Sequence, residues 1–217
     1  MEKNISQQED RQISLQNKQG DAEVKGVHIV TICDARSDKA RELEAQIGIN
    51  SRKRAFLISL GEATREKLKE LWDEYRWLIK CLHWEFKVQE MIVENITTTV
   101  GRSVLAQRLG GDTTYTGTVN YTALGTDSTT PVVGDATLGT EVYRKALSSG
   151  TDSGVIAYLE TFFTASETSG TYEEYGMFID GTGAANSGQL FNRFTSSITK
   201  SVTETLNVQS IITINDA

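Results

Sequence analysis

The sequence predicts an α+β protein: a helix-containing N-terminal region followed by an antiparallel β-sandwich or small jelly roll. Three observations predict it. Residues 1–100 hold 33 of the 51 charged side chains, 16 basic and 17 acidic, while residues 101–217 hold only 6 basic and 12 acidic. Thr and Gly run the other way, with 21 Thr and 14 Gly after residue 100. The spacing of apolar residues also changes, from intervals of three and four to intervals of two. A boundary near residue 95 follows. Residues 1–20 read as a flexible arm, 21–95 as a small α/β or helical docking region, and 96–217 as the sandwich.

The first 20 residues are rich in Gln and Asn and have little to bury, so an arm ordered against a partner is expected. Val24 to Cys33 alternates with apolar residues on both faces, as in a strand covered on two sides. Ser37 is placed to cap a short helix, Asp38 to Ile47, ended by Gly48. Ala55 to Leu60 is a second apolar run, giving strand–helix–strand–helix through residue 82. Ser59-Leu-Gly-Glu62 has capping-box spacing. Leu68, Leu71, Trp72, Tyr75, Leu78, Ile79 and Leu82 then mark one face of a helix. Beyond it, Trp84, Phe86 and Val88 alternate with polar residues, which favours a strand after about residue 82, while a continued helix through Trp77, Cys81, Trp84, Val88 and Met91 fits the same stretch.

Thr97-Thr98-Thr99 precedes a helix over 100–109, closed by Gly110-Gly111. Six strands follow at roughly even spacing: 119–124, 141–147, 155–164, 172–179, 189–194 and 201–214. Each is bounded by Gly, Asn, Asp or Ser, which supply turns in a chain with a single proline.

Net charge is −7, so broad capture of nucleic-acid phosphates is disfavoured, and nucleic acid is not the expected main partner. Arg52-Lys53-Arg54 reads as a solvated loop. No run of 18 apolar residues occurs, and no signal peptide is visible at the start, so no membrane partner is expected. Cys33 and Cys81 fit a reducing compartment. With His28 and His83 they lack the spacing of a zinc site, and no metal or cofactor is expected. Gly-x-Ser-x-Gly, Walker and His-Glu-x-x-His patterns are absent, so an enzyme is not expected. Asp180 to Gly188 reads as a hairpin loop. Glu173 and Glu174, adjacent on a strand, face opposite ways and cannot share a site. Tyr115, Tyr121, Tyr143, Tyr172 and Tyr175 are candidates for stacking on sugars or for structural packing.

Tyr121-Thr-Ala-Leu-Gly-Thr-Asp-Ser-Thr-Thr-Pro131, followed by Asp135-Ala-Thr-Leu-Gly-Thr-Glu-Val-Tyr-Arg144, resembles a segment of bacteriophage tail-fibre, collar and baseplate-type virion proteins. Glu94 to Leu109, Thr171 to Asp180 and Gln189 to Arg193 resemble the flanking parts of that module, so the resemblance covers about residues 92–217. It implies a virion structural protein, assembled in the bacterial cytoplasm, whose partners are copies of itself and other virion proteins. The fitting would belong to the tail, neck, collar or baseplate. A virion-borne carbohydrate-binding module with a host-glycan partner, or a capsid-attached decoration protein, is the alternative. Leu138 is expected to plug the sandwich. Glu141 and Arg144, three apart on an extended chain, are expected to face opposite sides and to pair with other strands or subunits. Trp77, Trp84, Phe86, Val88, Tyr143 and Arg144 are the candidate interface residues.

Overall fold

The computed structural model describes residues 24–59 and 65–214. The 1–20 arm and the capping box at Ser59–Glu62 lie wholly or partly outside the described residues. Among the described residues, two five-stranded antiparallel sheets face each other, two helices cover the outside of one sheet, and a third packs against a cluster drawn from both sheets. The first sheet has the order β2(Lys87–Glu94), β1(Val24–Asp34), β10(Glu204–Ile214), β7(Ile156–Phe163), β6(Ser149–Ser153). The second has the order β3(Ile96–Thr97), β9(Gln189–Lys200), β8(Gly170–Ile179), β4(Val119–Gly125), β5(Glu141–Ala146). The α+β sandwich expected from the sequence is therefore present.

Its extent differs from the expectation. β1 pairs with β10 from Val24↔Ile214 to Asp34↔Glu204, and with β2 on its other side. The composition break near residue 95 thus does not separate a docking region from the sandwich, because two strands of the first sheet come from before it. The reason lies in β1 itself. A strand apolar on both faces is stable only in the interior of a sheet covered on both sides. Val30 and Ile32 enter the core between the sheets, with Leu124, Phe163, Tyr175, Phe194 and Val208. Cys33 faces the other way, into a cluster with the helices.

Those helices are α1(Asp38–Ser59) and α2(Arg65–Phe86), which lie against the outer face of the first sheet. The Ser37 hydroxyl accepts from the Ala40 amide at 3.1 Å, as the cap predicts. The helix does not stop at Gly48. One glycine costs a helix only about 1 kcal/mol, and Leu43, Ile47, Asn50 and Arg54 continue a single buried face past it. The Asn50 amide donates to the Leu71 carbonyl at 3.0 Å and to Glu74 at 2.9 Å, tying the two helices together. Residues 55–59 are therefore helical rather than a strand, and 24–86 reads strand–helix–helix. α2 likewise outruns its expected end near 82, because Leu82 and half-buried Phe86 extend the face of Tyr75, Leu78 and Ile79.

α3(Thr99–Leu109) begins at Thr98, whose hydroxyl accepts from the Gly101 amide at 3.0 Å, and ends at Gly110. It lies directly on β9. A Cβ at Gly101 would stand 2.7 Å from the Cα and the carbonyl oxygen of Phe191. Gly101→Ala is expected to cost about 2 kcal/mol through this overpacking, seen as a lower denaturant midpoint at unchanged m-value. A midpoint equal to that of the parent would show that the helix can lift off β9 freely.

Candidate interaction surface

The segment carrying the virion-protein resemblance runs from β4 through a long loop into β5, and its polar residues converge on two buried arginines. Arg193 on β9 has a side chain only 4% exposed and meets three carboxylates. Its guanidinium lies 2.9 Å from Glu174, 2.9 Å from Asp135 and 3.3 Å from Asp127. Glu174 is fully buried and also accepts from the amides of Gly139 at 2.9 Å and Thr140 at 2.6 Å. Asp135 accepts from the Val132 amide at 3.0 Å, and Asp127 from the Thr129 amide at 2.9 Å. The loop is thus pinned at both of its ends onto β8 and β9. Leu138, expected to plug the sandwich, instead fills the space beneath the loop on the outer face of the second sheet, 2% exposed, among Ala123, Phe178 and Leu190.

The second arginine is Arg144, and here the expectation fails. Glu141 and Arg144 pair with each other, Nε to Oε1 at 2.5 Å and Nη2 to Oε2 at 2.8 Å. The cause is a bulge: Tyr143 pairs with Leu124 but Glu141 with Gly125, leaving Val142 as an extra residue. One inserted residue resets the alternation, so positions three apart come to the same face. Arg144 also donates to the carbonyls of Thr182 at 3.0 Å and Ser187 at 3.1 Å, and its side chain is 4% exposed. It locks β5 to the 180–188 loop within one chain and is not a surface residue.

The remaining candidate residues divide. Tyr143 is half-buried against the sandwich core, edge-on to Phe163 at 6.0 Å. Phe86 is half-buried against the helical cluster. Trp77, Trp84 and Val88 are 61%, 64% and 60% exposed. Trp77 and Trp84 share α2, whereas Val88 belongs to β2, which is an edge strand. Trp84 and Phe86, read from their alternation as one face of a strand, instead point to different sides of a helix.

The tyrosines form no stacking platform. Tyr172 and Tyr175 are buried, and Tyr115, Tyr121 and Tyr143 are half-buried against core clusters. Glu173 and Glu174 do turn apart, Glu173 accepting from Ser197 at 2.8 Å while Glu174 holds Arg193. Asp180 to Gly188 is the β8–β9 hairpin loop.

Three buried groups were not legible as partners in the sequence. His28 is stacked on Phe194 at 4.1 Å, with Nδ1 hydrogen-bonded to Ser210. Burial pushes its pKa down to about 3. A Ser–His contact is the signature of an activated nucleophile, but this one is sealed between the sheets, both residues being 0% exposed. Cys33 lies on the opposite face of β1, and burial pushes its thiol up to about 12, so it is inert at neutral pH. Among the described residues, no group of three or more His, Cys, Asp or Glu is placed to hold a metal ion. Arg54, expected in a solvated loop, is helical and buried, its guanidinium 4.7 Å from the centre of the Tyr75 ring and bonded to Ser148 and Ser149. Near it, burial pushes Glu160 up to about 7 despite the Asn207 amide bonded to it at 2.5 Å.

Comparison with protein-family models, with curated proteins and with solved structures finds no match to this chain. No described helix is long and apolar enough to cross a membrane.

Proposed function

We propose that the chain is a bacteriophage virion structural protein, an oligomeric fitting of the tail, neck, collar or baseplate, assembled in the host cytoplasm. Its partners are copies of itself and other virion proteins. The observation that carries this reading is the pairing of a locked body with an unspent aromatic surface. Every charged residue of the 121–144 segment that the resemblance singles out is used to hold shape, through Arg193 and Arg144. Trp77 and Trp84 lie outside, where they add nothing to that core. Tryptophan dominates protein interfaces because it offers a large apolar area at little entropic cost.

The test is composition. Particles purified by density gradient from a culture of the phage or lysogen that encodes the chain are digested and quantified by mass spectrometry. The expected result is a fixed copy number per particle, with antibody labelling at one symmetric position. Presence in the lysate but absence from washed particles would overturn the reading.

A further inference from the structure

We infer that the solvent face of α2 is a two-fold interface on which a second copy of this chain docks antiparallel, with Trp77 at the axis. At 100° per residue, Glu66, Glu70, Asp73, Trp77, Lys80 and Trp84 fall within one stripe of about 80°. All six are exposed. The buried residues Trp72, Tyr75, Leu78, Ile79 and Leu82 centre on the opposite side of the helix. The two tryptophans therefore point directly away from the core. They are two turns apart, about 10.5 Å along the axis. Neither has an aromatic stacking partner among the described residues.

The charges on the stripe say what covers it. Its N-terminal half is acidic, with Glu66, Glu70 and Asp73, and its C-terminal half carries Lys80. Parallel docking of a second copy would set Glu70 and Asp73 against the same residues and Lys80 against itself. Antiparallel docking about Trp77 sets Asp73 and Glu70 beside Lys80 and Trp84 of the second copy, and the reverse, so that each contact is made twice. Lys80 already interacts within its own chain; the second copy adds opposite charge beside it, not a first partner. A face complementary to itself in one orientation alone favours a closed pair over an open chain. The inference rests on the reading of the chain as a self-associating fitting, and specifies where it meets itself.

The experiment is sedimentation velocity with light scattering on the full chain, over a concentration series up to about 100 μM. The expected mass is twice the 24.0 kDa of one chain. Trp77→Glu is expected to weaken association at least about tenfold, as loss of a central tryptophan does, with thermal midpoint and circular dichroism unchanged. Asp73→Lys and Lys80→Glu are each expected to weaken it, and the double variant to restore it. Restoration is the readout that a merely structural role would not produce. A wild-type chain monomeric throughout, a multimer indifferent to Trp77→Glu, or a double variant weaker than both singles would each overturn the inference. If the chain is nonetheless present in purified particles, the fitting reading stands without this face.

Discussion

Arg193→Met is expected to lower the free energy of unfolding by about 3–5 kcal/mol, the cost of leaving a buried charge without its partner. Glu174 is the charge left behind. It is fully buried, and its oxygens face Arg193 and the Gly139 and Thr140 amides. Those amides continue to stabilise a carboxylate, but they do not neutralise it. Asp127 and Asp135, 3.3 and 2.9 Å from the guanidinium, would add repulsion that solvent screens in part. Adding Glu174→Gln should recover part of the loss, because a neutral amide is cheaper to bury than an unpaired carboxylate. Urea unfolding of the wild type, both single variants and the double variant measures this as a coupling energy. A loss under about 1 kcal/mol for Arg193→Met would mean that solvent reaches Glu174 and that the loop is not pinned there.

Acid is expected to unfold the protein steeply, and His28 to be a principal cause. Its folded pKa is depressed to about 3 from an ordinary 6.5, because burial between the sheets penalises the charged ring. Below pH 6.5 the unfolded chain therefore binds a proton that the folded chain refuses. Stability is lost as pH falls from 6.5 toward 3, by up to about 1.4 kcal/mol per pH unit for one such group. His83 acts with the same sign, its pKa lowered to about 4 by burial and by the Lys87 charge. Glu160 acts oppositely. With its pKa raised to about 7 by burial, it holds a proton in the folded state that the unfolded chain releases between 4.5 and 7. Its contribution therefore grows as pH falls through that window, and it cancels one histidine there. Below pH 4.5 the cancellation ends, and the fall in stability should steepen. The pair His28→Phe with Ser210→Ala keeps the stack on Phe194 and leaves no orphaned hydroxyl. It is expected to remove about one proton's worth of slope between pH 6 and 4. An unchanged slope would show that His28 is not sealed from water.

How much of this was legible in the sequence varies by element. The six C-terminal strands, the α3 cap at Thr98 and the strand 24–33 with two apolar faces follow from local periodicity and turn chemistry. Both depend on residues a few positions apart. The ends of α1 and α2 do not. Gly48 looks like a stop until Asn50 and Arg54 are seen buried beneath α2 and the sheet, and such burial outweighs about 1 kcal/mol of local propensity. The candidate surface divides for the same reason. Trp77 and Val88 are exposed as an interface requires, whereas Arg144 is consumed by a bulge that strict alternation cannot foresee.

By itself the sequence determined the fold class, the longer strands after residue 110 (but neither β3 nor β6) and the unusual apolar character of the stretch around Trp77–Val93. It also marked out the segment whose polar residues would matter. Only the tertiary structure decided that β1 and β2 complete the sandwich across the composition break. It alone decided that Arg193 gathers Asp127, Asp135 and Glu174 from 19 to 66 positions away by chain numbering, and that the two exposed tryptophans of α2 share one solvent-facing stripe. Side-chain period is a property of neighbouring residues and survives in any context. Which strands become neighbours, and which carboxylates meet one arginine, depends on how distant segments share a single buried volume.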